Sequence, residues 1–183
     1  MKRTILKFGS ISAAIMVVLM SSTVPFQHKI NFDRGLFVGY TTMVVAFLLV
    51  FFGIRSYRDN EGQGQITFAR AFAVGISITL ITCVCYVVAW EIIYFNFMHN
   101  FMDDYTAMVV AKAKASGMSA AALQAKVEEL QVAKQKYENV FYNSALTFIE
   151  PFPVGFLITL ISAAVLRKKK SAQSADAQVA VTS

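Results

Sequence analysis

An all-α integral membrane fold, a bundle of four transmembrane helices with an extracytoplasmic helical hairpin between the third and fourth, follows from three features of the chain. It is 56% hydrophobic and only 15% charged over 183 residues, where a soluble domain carries roughly 25% charged residues. The charges cluster between long apolar runs rather than alternating with apolar positions. Four of those runs reach the roughly 17–25 residues that a helix needs to cross a bilayer. A chain this short cannot build a core large enough to hide such runs from water, whereas hydrocarbon accepts them directly.

The first run covers residues 8–24 and is closed by Pro25, the second 35–54, the third 69–94 and the fourth 145–166. The third is longer than a bilayer requires, so it is expected to tilt or to extend past the surface. Together they form a transmembrane domain of residues 1–170, followed by a tail, 171–183, rich in Ala, Ser, Gln and Val and without periodicity. Such a tail buries too little apolar surface to order itself and is expected to be disordered. The first run follows Lys2, Arg3 and Lys7 as a secretory signal would, but Ser21-Ser22-Thr23-Val24-Pro25 offers no small-x-small cleavage site. An uncleaved helix is the expectation.

The net charge of +6 comes mainly from Lys2, Arg3 and Lys7 at the start and Arg167, Lys168, Lys169 and Lys170 near the end. No polar segment carries a basic stripe with interleaved aromatics, so nucleic acid is excluded as a partner. Basic clusters flanking apolar spans instead set topology, with the richer side cytoplasmic. If the N-terminus is inside, ten of the 17 basic residues lie on cytoplasmic segments and seven outside. Five of the outer ones are spread along 96–143 among Asp103, Asp104, Glu128, Glu129 and Glu138. Both termini are therefore expected in the cytoplasm.

The segment 96–143 is the only sizeable polar part before the tail. Asp103 or Asp104 is expected to cap a helix ending at Ala115, with Gly117 as its stop, and Ser119 to cap a second helix reaching Tyr137. Leu123, Val127, Leu130, Tyr137 and Phe141 are expected on one face, with Lys134 interrupting the stripe. The resulting hairpin would pack on itself, on the membrane surface or on a protein partner.

Few residues suggest chemistry. Cys83 and Cys85 stand two positions apart, about 200° around a helix, and cannot chelate as a pair. His28 and His99 lack further ligands for a metal. Gly62 and Gly64 lie in Glu61-Gly62-Gln63-Gly64-Gln65 without the Lys-Ser/Thr of a phosphate loop, and read as a turn. No nucleophile-and-base set appears. The expectation is a protein that is no enzyme and carries no cofactor and no metal. Glu91 and Glu150 are the candidate polar intramembrane site, since carboxylates within spans usually face a partner or water. Interfacial carboxylates beside Trp90, Tyr94 and Tyr142 in an aromatic belt are the plainer alternative. Pro151 and Pro153 should kink or interrupt the fourth helix directly after Glu150. Gly35-x-x-x-Gly39 and Ala71-x-x-x-Gly75-x-x-x-Thr79 give small-residue rows for close helix packing within the chain. Arg55 and Arg58 around Tyr57, joined by Arg70, form a candidate membrane-surface basic patch that would touch anionic lipid headgroups or, with the same residues, a partner's acidic tail.

Several strings resemble an uncharacterised bacterial family of four-helix membrane proteins, domain of unknown function 4199. They are Gly53-Ile54-Arg55-Ser56-Tyr57-Arg58-Asp59, Ile66-Thr67-Phe68-Ala69-Arg70-Ala71-Phe72, Tyr86-Val87-Val88-Ala89-Trp90-Glu91-Ile92, Pro151-Phe152-Pro153-Val154-Gly155 and Ile161-Ser162-Ala163-Ala164-Val165-Leu166-Arg167-Lys168. The resemblance covers nearly the whole chain in order and is weakest in 96–143. It implies a bacterial inner-membrane location and the same architecture, and no activity. The expected role is a non-enzymatic interaction or accessory function, with membrane lipid and a protein partner of the outer helices as contacts. A small transporter or channel subunit using Glu91 and Glu150 is the alternative, and oligomeric state is left open.

Overall fold

A computed structural model describes residues 1–23 and 32–168. His28, the end of the first apolar run, Lys169, Lys170 and the tail 171–183 lie outside the described residues. Seven helices follow in order: α1 (Lys2–Thr23), α2 (Phe32–Asn60), α3 (Phe68–Phe97), α4 (Phe101–Ala115), α5 (Ala120–Tyr137), α6 (Val140–Ile149) and α7 (Phe152–Leu166). Four stretches are long and apolar enough to cross a membrane: Lys2–Thr23, Gly35–Asn60, Phe68–Phe97 and Val140–Leu166, the last made of α6 and α7 together. Between 28% and 44% of each apolar window is buried inside the protein. More than half of each window is thus not buried within the protein, and large apolar side chains such as Val18, Phe52, Val84 and Ile161 are exposed, which lipid accepts and water would penalise.

The helices outrun the apolar stretches. α1 starts at Lys2 and α2 continues through Arg55 and Arg58 to Asn60, because charged residues end a hydrocarbon crossing without ending helical hydrogen bonding. The chain divides into two compact units, Met1–Cys85 with Pro151–Ser183, and Tyr86–Glu150. α3 runs unbroken through the first boundary.

In the first unit, Met16, Phe47, Val50, Ile54, Val74 and Ile78 are fully buried. Polar groups among them are satisfied locally: Ser12 Oγ donates to the Ala46 carbonyl at 2.9 Å, and the Thr79 and Thr159 hydroxyls share a bond at 3.0 Å. Ala71, Gly75 and Thr79, the row expected from sequence, are buried. A Cβ at Gly75 would stand 2.8 Å from both Ile54 Cδ1 and Thr159 Cγ2. One at Gly155 on α7 would stand 2.5 Å from Thr79 Cγ2 and 2.8 Å from the Phe47 ring. In the other expected row, no described atom lies within 4 Å of a Cβ built at Gly39.

One end of this unit is tied together by backbone and termini. After α2, the amides of Glu61 and Gly62 donate to the Tyr57 carbonyl at 2.9 and 3.0 Å, and that of Gly64 donates to Arg58 at 2.9 Å. Gln63 and Gly64 take positive φ values of 52° and 78°. A Cβ at Gly62 would fall 2.2 Å from the Gln65 carbonyl oxygen. The glycine pair is thus a helix-ending turn. Ile66 and Lys168 exchange two backbone bonds at 3.0 and 2.9 Å, and the Glu61 carboxylate accepts from the Met1 amine and from Thr4 Oγ1. The start of α1, the α2–α3 turn and the end of α7 lie together.

The second unit holds the rest of α3 with α4, α5 and α6. Gly117 at φ +77° ends α4, and Ser119 Oγ accepts from the Ala122 amide at 3.4 Å to open α5. The start of α4 differs from expectation. Asn100 is its N-cap residue without a side-chain bond, and Asp103 and Asp104 sit inside the first turn, where a carboxylate complements the helix dipole. Asp103 binds Lys134 Nζ of α5 at 2.5 Å instead. Lys134 interrupts the apolar stripe because that position faces an acid on α4. The stripe itself ends sooner than expected: Leu130 is buried, but Phe141 belongs to α6 and is 87% exposed.

Gly155 and Gly39 make a matched test of close packing. Gly155→Leu is expected to destabilise the protein by the about 1–3 kcal/mol typical of overpacking, read as a lower melting temperature in detergent. Gly39→Ala should leave it unchanged or slightly raised, as the gain in helix propensity is at most ~1 kcal/mol.

Candidate functional site

The polar residues of the second unit converge on the face of α3 that repeats every four positions, Tyr86, Trp90 and Tyr94, all buried. Fourfold spacing places side chains one above another on a helix. The Trp90 indole N–H donates to Tyr137 Oη at 3.1 Å and to Asn143 Oδ1 at 3.2 Å. Asn143, fully buried, also accepts from Thr147 Oγ1 at 3.1 Å and donates to the Tyr137 carbonyl at 3.2 Å. Rings close the cluster: Tyr94 meets Tyr137 edge-on at 5.2 Å and Phe101 meets Trp90 at 5.4 Å. α3, α4, α5 and α6 are all joined here. A buried amide with donor and acceptor sides both used can fix the register of the three helices it bonds, α3, α5 and α6.

The two carboxylates stand on the same two helices but have separate partners. Ser144 Oγ donates to Glu91 Oε1 at 2.8 Å, and Tyr86 Oη donates to Glu150 Oε2 at 3.2 Å. Glu91 and Tyr86 are five residues apart on α3, roughly 7.5 Å along a helix axis, so the two pairs occupy different levels. Glu91 Oε2 is buried and has no hydrogen-bond partner. Glu150 is exposed and is the C-cap residue of α6. Next to it Pro151, buried, begins the break before α7, and Pro153 lies in the first turn of α7. The interruption expected from the two prolines is present, because they offer no N–H to the carbonyls of Thr147 and Ile149.

Trp90 and Tyr142, the expected belt neighbours, part company: Trp90 is buried in the cluster and Tyr142 is 42% exposed. In the first unit the basic patch is also redistributed. Arg58 Nε holds Asp59 Oδ1 at 2.8 Å, and Arg55 Nε stands 3.6 Å from Asp59 Oδ2. Tyr57 is buried and is not part of the surface patch. Arg70 is exposed near the start of α3. No group of three or more His, Cys, Asp or Glu able to hold a metal occurs among the described residues.

Sequence reading missed Asn143, Thr147, Ser144 and Tyr86. The signals were present as spacing, Tyr86-x-x-x-Trp90-x-x-x-Tyr94 and Asn143-x-x-x-Thr147, but nothing in either string names the opposite helix.

A family model described as Protein of unknown function (DUF4199) matches residues 7–168, which covers all four apolar spans. The chain belongs to the DUF4199 family. No curated protein and no solved structure matches this DUF4199 chain.

Tyr137 lies outside the four apolar spans, and burial pushes its phenol up to about 12, with the Trp90 N–H on its oxygen pulling the other way. A raised folded-state value adds stability that is complete below the unfolded value of about 10 and is lost as pH climbs toward the folded one. Melting temperature in detergent is therefore expected to fall between about pH 10 and about pH 12. Lys134, held above its ordinary value by its bond to Asp103, contributes in the same direction. In Tyr137→Phe the alkaline fall should be smaller than in wild type. Identical slopes would show that the phenol does not carry it.

Proposed function

We propose that this DUF4199 protein is a multi-pass inner-membrane protein with both termini cytoplasmic and a non-enzymatic accessory role. In this reading α4 and α5 lie outside the membrane and are its contact element for another protein. The observation that carries the reading is the anchoring of that pair. Trp90, Tyr137 and Asn143 hydrogen-bond one another, which holds α5 on α3 and α6, while Val132, Met108 and Met118 remain exposed. A buried polar network whose members satisfy one another rigidifies the helices that carry it. The four apolar spans and the lysine and arginine bias support the orientation.

A periplasm-active reporter fused after Lys126 should be active and one fused after Ser171 silent, and a photo-cross-linking residue at Val132 should trap a protein in intact cells. Activity at both fusion sites would overturn the even number of crossings. Cross-linking at Val132 to lipid alone would overturn the contact role.

A second reading, a proton or cation pathway in a transporter or channel subunit, is favoured by one observation, the buried and unpartnered Glu91 Oε2. A buried carboxylate oxygen without a donor is costly, and such groups within spans mark ion routes. Proteoliposomes should then lose proton or cation flux in the Glu91→Gln, Glu150→Gln double variant. Wild-type flux in that variant removes the reading.

A further inference from the structure

A groove in the first unit holds about 410 Å³ and is lined by Phe8 of α1 with Leu49, Phe52, Arg55, Ser56 and residues of the last turn of α2. That volume falls within the roughly 300–1,000 Å³ of small-ligand sites. Its walls change character along their length. Phe8, Leu49 and Phe52 are apolar, and Arg55, Ser56 and Asn60 follow within two turns. Phe8 is where the first apolar run begins, and Ile54, directly before Arg55, is where the second ends. Both sequence boundaries between hydrocarbon and headgroup thus meet in one groove.

The polar end is arranged to receive an anion. Asp59, the acid in the groove, is engaged by Arg58 at 2.8 Å. Arg55 pairs with the same carboxylate at the longer distance of 3.6 Å, and its side chain is 57% exposed. The Asn60 amide donates to the Ser56 carbonyl at 2.9 Å and to Ser56 Oγ at 3.2 Å. With Oγ accepting, the Ser56 hydroxyl proton is left to donate outward. Lys7 Nζ, 5.9 Å from the Phe8 ring centroid, adds a second positive charge beside the apolar wall.

We propose that this groove binds one anionic phospholipid, its phosphate on Arg55 and Ser56 and its acyl chain along Phe8, Leu49 and Phe52. The inference rests on the membrane placement proposed above. The apolar wall selects a lipid over a free phosphate, and Arg55, exposed and only loosely paired with Asp59, selects an anionic headgroup over a zwitterionic one. Of the three arginines of the expected patch, Arg55 lines the groove and Arg58 and Arg70 do not, so the phosphate contact is assigned to Arg55.

The test begins with alkaline carbonate extraction of membranes. Release of the chain would overturn both the membrane reading and this inference, whereas retention isolates the lipid question. Purified full-length protein in mild detergent is then titrated with phosphatidylglycerol or phosphatidylcholine and bound lipid is counted by native mass spectrometry. Wild type should prefer phosphatidylglycerol. Arg55→Gln should weaken that preference about fivefold, the weight of one basic group at an anionic surface, and Arg55→Lys should retain most of it. Leu49→Trp, which fills the groove with the charges intact, should lose the bound lipid. Arg70→Gln should bind as wild type, and inorganic phosphate should not displace the lipid. Equal losses in Arg55→Gln and Arg70→Gln, or full binding in Leu49→Trp, would overturn the groove in favour of diffuse surface charge.

Discussion

A hydrocarbon layer gives a backbone amide or a hydroxyl nothing to bond to. Spans of this composition must therefore satisfy every polar group from within, and the internal bonds of this protein follow that demand. Thr82 Oγ1 returns to the Ile78 carbonyl of its own helix at 3.0 Å. Ser12 crosses from α1 to an α2 carbonyl, and Thr79 and Thr159 bind each other across α3 and α7. Asn143 uses both sides of its amide. The same demand makes close approach useful, because dispersion between packed helices replaces the missing hydrophobic drive. Glycine at 75 and 155 removes the side chains that would hold α2, α3 and α7 apart.

Two places depart from that economy. At the junction of α6 and α7 the prolines withhold two donors beside Glu150, and on α3 Glu91 keeps one buried oxygen unpartnered. Each carboxylate has its own hydroxyl partner, Ser144 for one and Tyr86 for the other. This arrangement gives two separate polar points on the α3 and α6 pair rather than one shared carboxylate dyad, which would couple their charges. At the tied end of the first unit the charges are also divided by partner. Asp59 is held by Arg58 and, at longer range, by Arg55, which stays exposed beside an apolar groove.

Sequence alone determined where the chain leaves water. The apolar runs located four helices of membrane-crossing length. Gly117 and Ser119 marked the α4–α5 joint, and Pro151 and Pro153 marked the break in the fourth span. These features are local: transfer free energy, a positive φ and a missing N–H act on the residue that carries them and need no neighbour. What only tertiary structure decided is which side of each helix meets another. A single residue step turns a side chain about 100°, so hydropathy could not tell that Gly155 is in contact and Gly39 in open space. It could not bury Tyr57 or expose Phe141, pair Asp103 with Lys134 in place of a cap, or assign Glu91 and Glu150 to different hydroxyls. Those outcomes depend on helix rotation and on the helix opposite, and both are fixed by packing between segments far apart in the chain.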